Sequence, residues 1–381
     1  MDTKCVHKIL VVDNGFIGKS GGKYLVEYNA SLFLKDLAEG PYDINILQFT
    51  KKITANESIL GSKTDAEIVS FGFHDHNLIT KTLSYVFMIG KFLSKIRNYR
   101  LIHVFYPGHL NYLVLLCCFL TKKKYGIYIR GEISNRLPFT KNIIKCANFV
   151  ITNNPISYKY FLKINENSKM IISYKKLGNE LPEMDDVKIL KPETKKNTDF
   201  QLLFVGRVEV KKGIIELIDA FSAIDQKYNI QLTIVGGGDL FDEYHRKINN
   251  DKYLKDHINL VGFIDDEHEL ALFYKRADFF VFPSHTEGFP RVLFDCMVNK
   301  VPILTTMVGG IPGFLEDKVN CLKLELKDSN DIKEKILYAI NNSVIMKNIA
   351  DNAYDTLRNY IEKDVVLHKD VILDYFDKLN N

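Results

Sequence analysis

The chain has 381 residues, of which 46% are hydrophobic and 26% are charged. This length holds two ordinary domains, and this balance excludes a disordered chain. Residues 1–180 carry 25 Lys and Arg against 13 Asp and Glu, whereas residues 181–381 carry 26 against 34, so a basic half is joined to an acidic one.

The cysteines and the first residues bear on the cellular compartment. Six scattered cysteines lack CxxC spacing, and Cys117 and Cys118 lie inside an apolar run, so we expect buried, reduced thiols rather than disulfides or zinc. The start of the chain lacks the apolar core of a signal peptide, and the run Tyr112–Leu120 is too short to cross a bilayer. We therefore expect a cytoplasmic protein, soluble or peripheral on the inner face of the membrane.

The first predicted strand, His7–Val12, is followed by a glycine-rich loop and then by a long amphipathic helix. Glycines such as Gly21 and Gly22 would let a ligand approach the backbone closely. They do not form GxGxxG before a helix, so the dinucleotide-binding signal is weak.

Strands and helices then alternate, which predicts a doubly wound parallel sheet of the α/β class. The predicted strands are Ile44–Phe49, Leu101–Phe105, Tyr125–Ile129 and Phe149–Thr152, and the predicted helices are Lys81–Arg97, Asn111–Thr121 and Ile156–Ile164. Ligands of such sheets bind beyond the carboxyl ends of the strands. His109, Arg130 and Glu132 follow two of these ends and are candidate acceptor or cleft residues.

Basic side chains cluster in Lys91–Arg100 and in Lys122–Lys124. They alternate with apolar residues that could anchor in a membrane, namely Phe92, Leu93, Ile96, Tyr99 and Tyr125. This composition favours an anionic lipid surface, and a lysine-rich solvated face is the alternative. No RNA-binding module is visible.

A polar segment with two prolines, 182–199, is the predicted interdomain linker. A strand at Gln201–Val205, a loop and a helix at Ile214–Phe221 follow it. Arg207 and Lys212 lie on that loop, where two cations could neutralise a diphosphate without a metal.

The second half continues with predicted strands at Ile230–Val235 and Ile258–Val261, each followed by glycine. The apolar run Phe279–Phe282 is a third strand, and the carboxylate of Glu287 follows it. A helix predicted from Pro290 buries Val292, Leu293, Cys296 and Met297, with Asp295 off that face. Three helices are predicted in residues 328–381: Ser329–Asn341, Val344–Tyr360 and Lys363–Leu379.

Four short sequence blocks resemble the family-four retaining glycosyltransferases of the GT-B fold. The acidic block EGFPRVLFD, followed by VPILTT and VGGIP, is similar to the family's Glu, seven residues, Glu motif, with Asp295 as the second acid. VGR, four residues, KG resembles its phosphate-binding loop, with Arg207 and Lys212 as the two cations. The chain departs from the family pattern at Lys300, Gly313, Asn320-Cys321 and Arg130-Gly131.

The resemblance implies two Rossmann-like domains that face each other across a cleft. Their predicted bounds are 1–181 for the acceptor domain, 182–199 for the linker, 200–362 for the nucleotide-sugar domain and 363–381 for a helix that crosses back. It implies a hexosyltransferase-type enzyme that transfers sugar from a UDP- or GDP-sugar with retention, in cell-surface polysaccharide assembly. No metal or cofactor and no nucleic acid is expected, and the acceptor is a glycan or a lipid-linked molecule.

The resemblance also assigns residues. The catalytic group is Arg207, Lys212 and Glu287. The implied donor-binding residues are Gly206, Phe263, Ile264, Gly288, Phe289, Arg291, Val292, Asp295, Gly309 and Gly310. The acceptor or cleft group is Gly21 and Gly22, which match the family's glycine pair, together with His109, Arg130 and Glu132, which are candidates because they follow strand ends. A non-catalytic nucleotide-sugar-binding protein of the same fold is the alternative function, and a nucleotide-sugar epimerase fits these residues less well.

Overall fold

The computed structural model describes residues 7–13, 17–20, 23–27, 33–34, 37, 42–52, 61–63, 67–72, 78–130, 137–171, 200–225, 227–364 and 368–380. The chain divides into two compact units, one formed by residues 1–172 with 366–381 and the other by residues 173–365. The predicted linker, 182–199, lies outside the described residues.

The first unit contains a sheet of ten strands within the described residues. They are β1 (His7–Val12), β2 (Ile17–Ser20), β3 (Lys23–Glu27), β4 (Tyr42–Lys52), β5 (Gly61–Lys63), β6 (Glu67–Gly72), β7 (Leu101–Tyr106), β8 (Tyr125–Ile129), β9 (Phe149–Thr152) and β10 (Ser168–Met170). The order is β10-β9-β8-β7-β1-β4-β2-β3-β5, and β6 also pairs with β4. All pairs from β10 to β4 are parallel, as is β4 with β6. The prediction of a parallel sheet in this half is confirmed for these strands.

The glycine-rich segment after β1 differs from the prediction of a loop. Its strand β2 pairs in parallel with the end of β4 and antiparallel with β3, and β3 pairs antiparallel with β5. Ile17 is 2% exposed, so burial of this side chain favours the strand. Of the predicted helix that follows, the structure describes Phe33, Leu34 and Leu37, which are helical and buried.

Helices α1 (Leu78–Lys95), α2 (His109–Leu120), α3 (Thr140–Cys146) and α4 (Pro155–Leu162) belong to this unit. Phe92 and Ile96 are 1% and 8% exposed and pack with Val104 of β7 and Tyr125 of β8 in one apolar cluster. Tyr99 lies in the same cluster. Phe92, Ile96, Tyr99 and Tyr125 are therefore core residues, and their prediction as membrane anchors is wrong.

The second unit contains a six-stranded sheet, and every pair in it is parallel. Its strands are β11 (Phe200–Val205), β12 (Ile230–Val235), β13 (Ile258–Gly262), β14 (Phe279–Phe282), β15 (Ile303–Thr306) and β16 (Leu322–Leu324). Its helices are α5 (Ile214–Ser222), α6 (Phe241–Asn250), α7 (Lys252–His257), α8 (Glu267–Arg276), α9 (Val292–Val298), α10 (Ser329–Asn341) and α11 (Ser343–Asp364). The strands predicted after residue 200 are confirmed to within one residue.

The strand order of this second sheet is β13-β12-β11-β14-β15-β16. The chain builds outward from β11 in one direction and then from β14 in the other. The two central strands pair at Leu202 with Phe279 and at Leu203 with Phe280. Loops that leave the carboxyl ends of two such strands diverge, which opens a crevice where ligands bind in doubly wound sheets.

The last helix, α12 (His368–Asn380), packs on the sheet of the first unit. Its Val371, Ile372, Tyr375 and Phe376 share one apolar cluster with Ile9 and other sheet residues. At its first residue, His368 Nε2 lies 2.8 Å from Nε2 of His103 on β7. The end of the chain thus completes the core of the unit with which the chain begins.

The described cysteines carry no disulfide. Cys118, Cys296 and Cys321 are buried, which confirms the prediction for them, and burial raises the pKa of Cys321 to about 12. Cys117 is only partly buried and Cys146 is exposed, so the prediction of burial is wrong for Cys146. Among the helices that the structure describes, none is long and apolar enough to cross a membrane.

Candidate active site

Two loops leave the central strands of the second unit and meet through their side chains. The loop after β11 carries Lys212, and the loop after β14 carries Glu287. The Lys212 ammonium donates a hydrogen bond to Glu287 Oε1, and the two side chains are only 14% and 9% exposed. A carboxylate and an ammonium withdrawn from water in this way interact more strongly than an exposed pair. The sequence-predicted cation and acid are therefore in direct contact at the strand-order switch, the point between β11 and β14 where the order of strands reverses.

Ser284 fixes the acid from below. Its side chain is fully buried, and its Oγ donates to Glu287 Oε1 at 2.7 Å. Both described donors, Lys212 and Ser284, thus reach the same oxygen of Glu287. No donor among the described residues reaches the other oxygen, Oε2. Sequence reasoning treated Ser284 as a turn residue, although its place between a strand end and an acid was a usable signal.

The two loops are also joined through their backbones. His285 N–H donates to Lys211 O at 2.9 Å. Gly213 has φ +70°, and a Cβ built there would lie 2.1 Å from Pro283 O. Only glycine accommodates that backbone angle and that approach without strain. The contact between Lys212 and Glu287 therefore rests on a rigid junction.

A third loop supports the acid from the side of β15. Gly309 has φ +56°, and a Cβ built there would lie 1.6 Å from Glu287 O. Gly310 N–H donates to Gly288 O at 2.7 Å. The structure therefore brings Gly288, Gly309 and Gly310 together around Glu287.

His285 and Glu216 form a further link that the sequence did not indicate. Their Nε2 and Oε1 atoms lie 3.1 Å apart, and the side chains are 11% and 17% exposed. Glu216 is on α5, directly after the Lys212 loop, so this contact ties that helix to the acid loop. Only the fold brings these two residues together, which is why no sequence signal could find the pair.

Arg207 lies on the same loop as Lys212 but is placed differently. Its side chain is 63% exposed and pairs with Glu209 Oε1 at 2.8 Å, and Glu209 also pairs with Lys211. The backbone of Gly206 lies directly against Gly236, the residue after β12, since a Cβ built at Gly236 would lie 1.9 Å from Gly206 O. Arg207 thus stands at the open side of the loop, where an anion could replace Glu209 as its partner.

Helix α9 begins at Val292 and not at Pro290 as predicted. Residues 290 and 291 instead form a tight turn, because Leu293 N–H donates to Pro290 O and Phe294 N–H to Arg291 O. Leu293, Cys296 and Met297 are buried as expected, whereas Val292 is only partly buried. Arg291 is exposed at the helix start, and Asp295 is half-buried within the first turn.

The side chain of Phe289 is buried in an aromatic cluster. Its ring lies 4.5 Å from the ring centres of both Phe294 and Phe314. This position leaves the backbone of Phe289 as the group that could face a donor.

Phe263 and Ile264 follow β13, which two strands separate from β14. Phe263 is 48% exposed and Ile264 is partly buried.

One departure from the family pattern has a structural explanation. Lys300, where the family has glycine, has φ 51°, the left-handed conformation that glycine favours after a helix. Its ammonium pairs with Asp351 at 2.9 Å and lies over the ring of Tyr354. Asn320, which the family pattern shares, donates to Phe314 O and Thr356 Oγ1 and accepts from Glu316 N–H, but these bonds do not explain Cys321 where the family has glycine. Nothing in the structure explains Gly313 where the family has glutamate.

In the first unit, Arg130 directly follows β8, and His109 is the exposed first residue of α2. The Arg130 guanidinium lies 4.3 Å from the ring centre of Phe105 and 3.9 Å from Asp13 Oδ1. Sequence reasoning did not single out Asp13. Gly21, Gly22 and Glu132 lie outside the described residues. Within the described part of the chain, no group of three His, Cys, Asp or Glu side chains could hold a metal ion.

Comparison with known proteins finds similarity to glycosyltransferases. Residues 185–356 match the family described as Glycosyl transferases group 1. The chain is 32% identical over 223 residues to an uncharacterized glycosyltransferase, MJ1178, of Methanocaldococcus jannaschii, which covers 55% of this chain and 61% of the relative. It is 30% identical over 175 residues to the capsular polysaccharide biosynthesis glycosyltransferase CapM of Staphylococcus aureus, covering 45% of this chain and 44% of CapM. The matches thus span less than two thirds of either relative.

Two solved structures show the same fold along nearly the whole chain. Anabaena HepE in complex with UDP superimposes with a TM-score of 0.64 and 20% identity over 98% of this chain and 99% of HepE. Sucrose-phosphate synthase from Thermosynechococcus elongatus superimposes with a TM-score of 0.63 and 18% identity over 98% of each chain. The chain therefore has the GT-B fold, and its residues 185–356 match the glycosyl transferases group 1 family.

Proposed function

We propose that this chain is a retaining glycosyltransferase that moves a sugar from a UDP- or GDP-sugar to a glycan or lipid-linked acceptor. The observation that carries the proposal is the buried contact of Lys212 with Glu287 at the strand-order switch. A structural ion pair alone would not require close glycine contacts from two further loop positions to the backbone that carries the Glu287 carboxylate.

The geometry suits a sugar diphosphate. An ammonium has three N–H donors, and the Glu287 contact uses one of them. The others can reach the diphosphate oxygens, while Glu287 Oε2, which no described donor reaches, accepts from a sugar hydroxyl. The negative charge that develops on the leaving diphosphate is then stabilised by Lys212 and by Arg207 without a metal.

The retaining outcome follows from the family resemblance. In that mechanism the leaving phosphate helps to deprotonate the acceptor on the face that it leaves, so no separate base is required. Asp295, one turn into α9, would accept hydrogen bonds from the ribose hydroxyls. Phe263 and Ile264 would border the base.

The relatives support both the donor class and the biological role. Anabaena HepE has been solved with UDP and with UDP-glucose. CapM belongs to capsular polysaccharide biosynthesis, and TuaC of Bacillus subtilis, 24% identical over 244 residues, to putative teichuronic acid biosynthesis. We infer from these names that the product is a cell-surface polysaccharide or its lipid-linked precursor.

A lipid-linked acceptor would bring the enzyme to the inner face of the cell membrane, and α1 offers a surface for it. Leu83, Val86 and Phe87, at spacings that share one helix face, are 49%, 62% and 58% exposed. Lys122 and Lys124, after the neighbouring helix α2, are also exposed. Apolar side chains that insert and cations that meet anionic head groups are the two parts of an interfacial surface.

Turnover tests the proposal. The purified chain is incubated with a panel of UDP- and GDP-sugars and candidate glycan acceptors, with EDTA or with magnesium, and products are analysed by mass spectrometry. We expect transfer by the wild type in both conditions, and none by Glu287→Gln. Nucleotide-sugar binding without turnover across the panel would instead favour a non-catalytic binding protein. Activity that EDTA abolishes and magnesium restores would contradict the metal-independent part.

A further inference from the structure

Asp13 follows β1 at the carboxyl edge of the first sheet, where β7 separates it from Arg130 at the end of β8. Its backbone carbonyl accepts hydrogen bonds from Gln48 Nε2 at 2.5 Å and from Asn111 Nδ2 at 2.9 Å. Two buried amides from other elements therefore fix the backbone at this position. The carboxylate itself is not needed for that anchoring.

The Asp13 carboxylate is buried without full compensation. The residue is 8% exposed, and Oδ1 has no hydrogen-bond partner among the described residues. Arg130 Nη1 lies 3.9 Å away, which is too long for a hydrogen bond. A buried carboxylate oxygen without a donor costs free energy that a bound hydroxyl or water would recover.

A recess adjoins this carboxylate. It has a volume of about 10 Å³ and is lined by Asp13 together with apolar side chains that include Ile17, Phe33 and Phe105. That volume is close to the least that holds one water molecule. The recess therefore admits a single small polar group, such as one hydroxyl, and excludes a sugar ring or a phosphate.

Arg130 is the charged neighbour of this carboxylate, although it is not among the described residues that line the recess. Its guanidinium lies 4.3 Å and 5.1 Å from the ring centres of Phe105 and Tyr128, and the side chain is 22% exposed. Aromatic rings hold a guanidinium in a defined position. A donor and an acceptor of fixed geometry thus lie side by side, with opposite charges that compensate each other.

We propose that Asp13 and Arg130 together bind one hydroxyl of an electrically neutral acceptor sugar, which donates to Asp13 Oδ1 and accepts from Arg130. The assignment to the acceptor rests on the proposed function, in which the second unit holds the donor. Because Asp13 offsets the charge of Arg130, the pair gives no net attraction to a carboxylate. An acidic sugar is thereby disfavoured relative to a neutral one.

Calorimetric binding to the full chain tests this, with UDP first and then p-nitrophenyl glucoside, N-acetylglucosaminide and glucuronide in the presence of UDP. Loss of a hydrogen bond to a charged group predicts that Asp13→Asn weakens binding of the neutral glycosides about tenfold or more. Binding of the glucuronide should strengthen, because Arg130 is no longer offset. Arg130→Gln should weaken both kinds of glycoside. The matched control is Asp43→Asn, which changes an exposed aspartate at the amino end of β4. It should change the binding of neither the neutral glycosides nor the glucuronide.

The outcomes separate this proposal from the proposed function. Wild-type protein that fails to bind UDP would refute the donor assignment, whereas the glycosides can still be titrated alone. Neutral glycosides that do not bind the wild type, or that bind Asp13→Asn as tightly as the wild type, would overturn the hydroxyl assignment. A parallel loss of neutral and acidic glycosides in Asp13→Asn would also overturn it, because that pattern reports a general disturbance of the sheet edge. An unchanged melting temperature of each variant shows that it is folded.

Discussion

Lys212 and Glu287, 75 residues apart in sequence, share a contact in which both side chains are largely withdrawn from solvent. The neighbouring Lys211 is also basic but is 49% exposed and pairs with Glu209. The two adjacent lysines therefore have separate roles. Only Lys212 contacts Glu287.

This difference leads to a matched pair of variants. Lys212→Ala should lower the transfer rate about 10²- to 10³-fold, as removal of a group that stabilises developing charge does in other enzymes. Arg207→Ala should also lower it, with little effect on stability because its side chain is 63% exposed. Lys211→Ala should keep most of the rate. Single-turnover rates with saturating donor make the comparison, and wild-type rates in Lys212→Ala would remove this lysine from the mechanism.

The donor half could be predicted from sequence because its strands are mainly apolar and most of them end at glycine or proline. Phe279–Phe282 is an example, and it is fully buried. Such runs specify buried parallel strands locally. The positions of Arg207, Lys212 and Glu287 on the following loops came from the same signal. Two contacts were missed: Ser284 was interpreted as a turn residue although it lies three residues before Glu287, and only folding brings His285 to Glu216.

The basic half was predicted less well for a related reason. Lys91–Arg100 contains cations and apolar residues in alternation, which fits an interfacial surface and also fits a helix packed against a sheet. Phe92 and Ile96 turned inward to the core, and Leu83, Val86 and Phe87 remained exposed. Helical spacing alone identifies a face but not which partner covers it. Strands β2 and β3 were missed because their other pairing partners, β4 and β5, are distant in sequence.

The exposed face of α1 gives a prediction for membrane binding. Phe87→Ser, and separately Lys122→Glu with Lys124→Glu, should weaken binding to vesicles that contain anionic phosphatidylglycerol. Binding should also fall as salt rises, since exposed charges are screened over about 10 Å at 0.1 M. Vesicle sedimentation measures it, with Val344→Ser, 73% exposed in the other unit, as control. Binding that neither salt nor these substitutions change would contradict the assignment.

The contact of His103 with His368 gives a prediction for pH. Burial, and then the charge of Arg130, lowers the pKa of His103 to about 3. Burial, followed by the two neighbouring groups His103 and Arg130, also lowers the pKa of His368 well below its usual value. Both rings are therefore neutral in the folded protein near pH 6, whereas the unfolded chain takes up protons near pH 6.5. The stability that these rings contribute is present above that pH and is lost as pH falls.

The size of this effect follows from proton linkage. Well below pH 6.5, each histidine lowers the free energy of unfolding by about 1.4 kcal/mol per pH unit. Denaturant unfolding at pH 7.5 and 5.5 should therefore show a smaller loss of stability on acidification in His103→Gln and in His368→Gln than in the wild type. His245→Gln, which removes an exposed histidine of the second unit, should behave as the wild type. Equal losses in all four proteins would show that the pair does not control acid stability.

The last prediction concerns Asp295 and its role in donor binding. Because α9 begins at Val292, Asp295 lies three residues, or about 4.5 Å, along the helix axis from its start. A helix that began at Pro290 would place Asp295 two residues, or about 3 Å, further from the helix start. A carboxylate that accepts from two ribose hydroxyls makes charge-assisted hydrogen bonds, so Asp295→Ala should weaken donor binding by about 1.5–3 kcal/mol. Asp295→Glu should keep most activity. Calorimetry with UDP measures the affinity, and Asp355→Ala, an exposed helix aspartate paired with Arg358, is the control. A dissociation constant that Asp295→Ala leaves unchanged would place Asp295 outside the donor site even if Glu287 is essential.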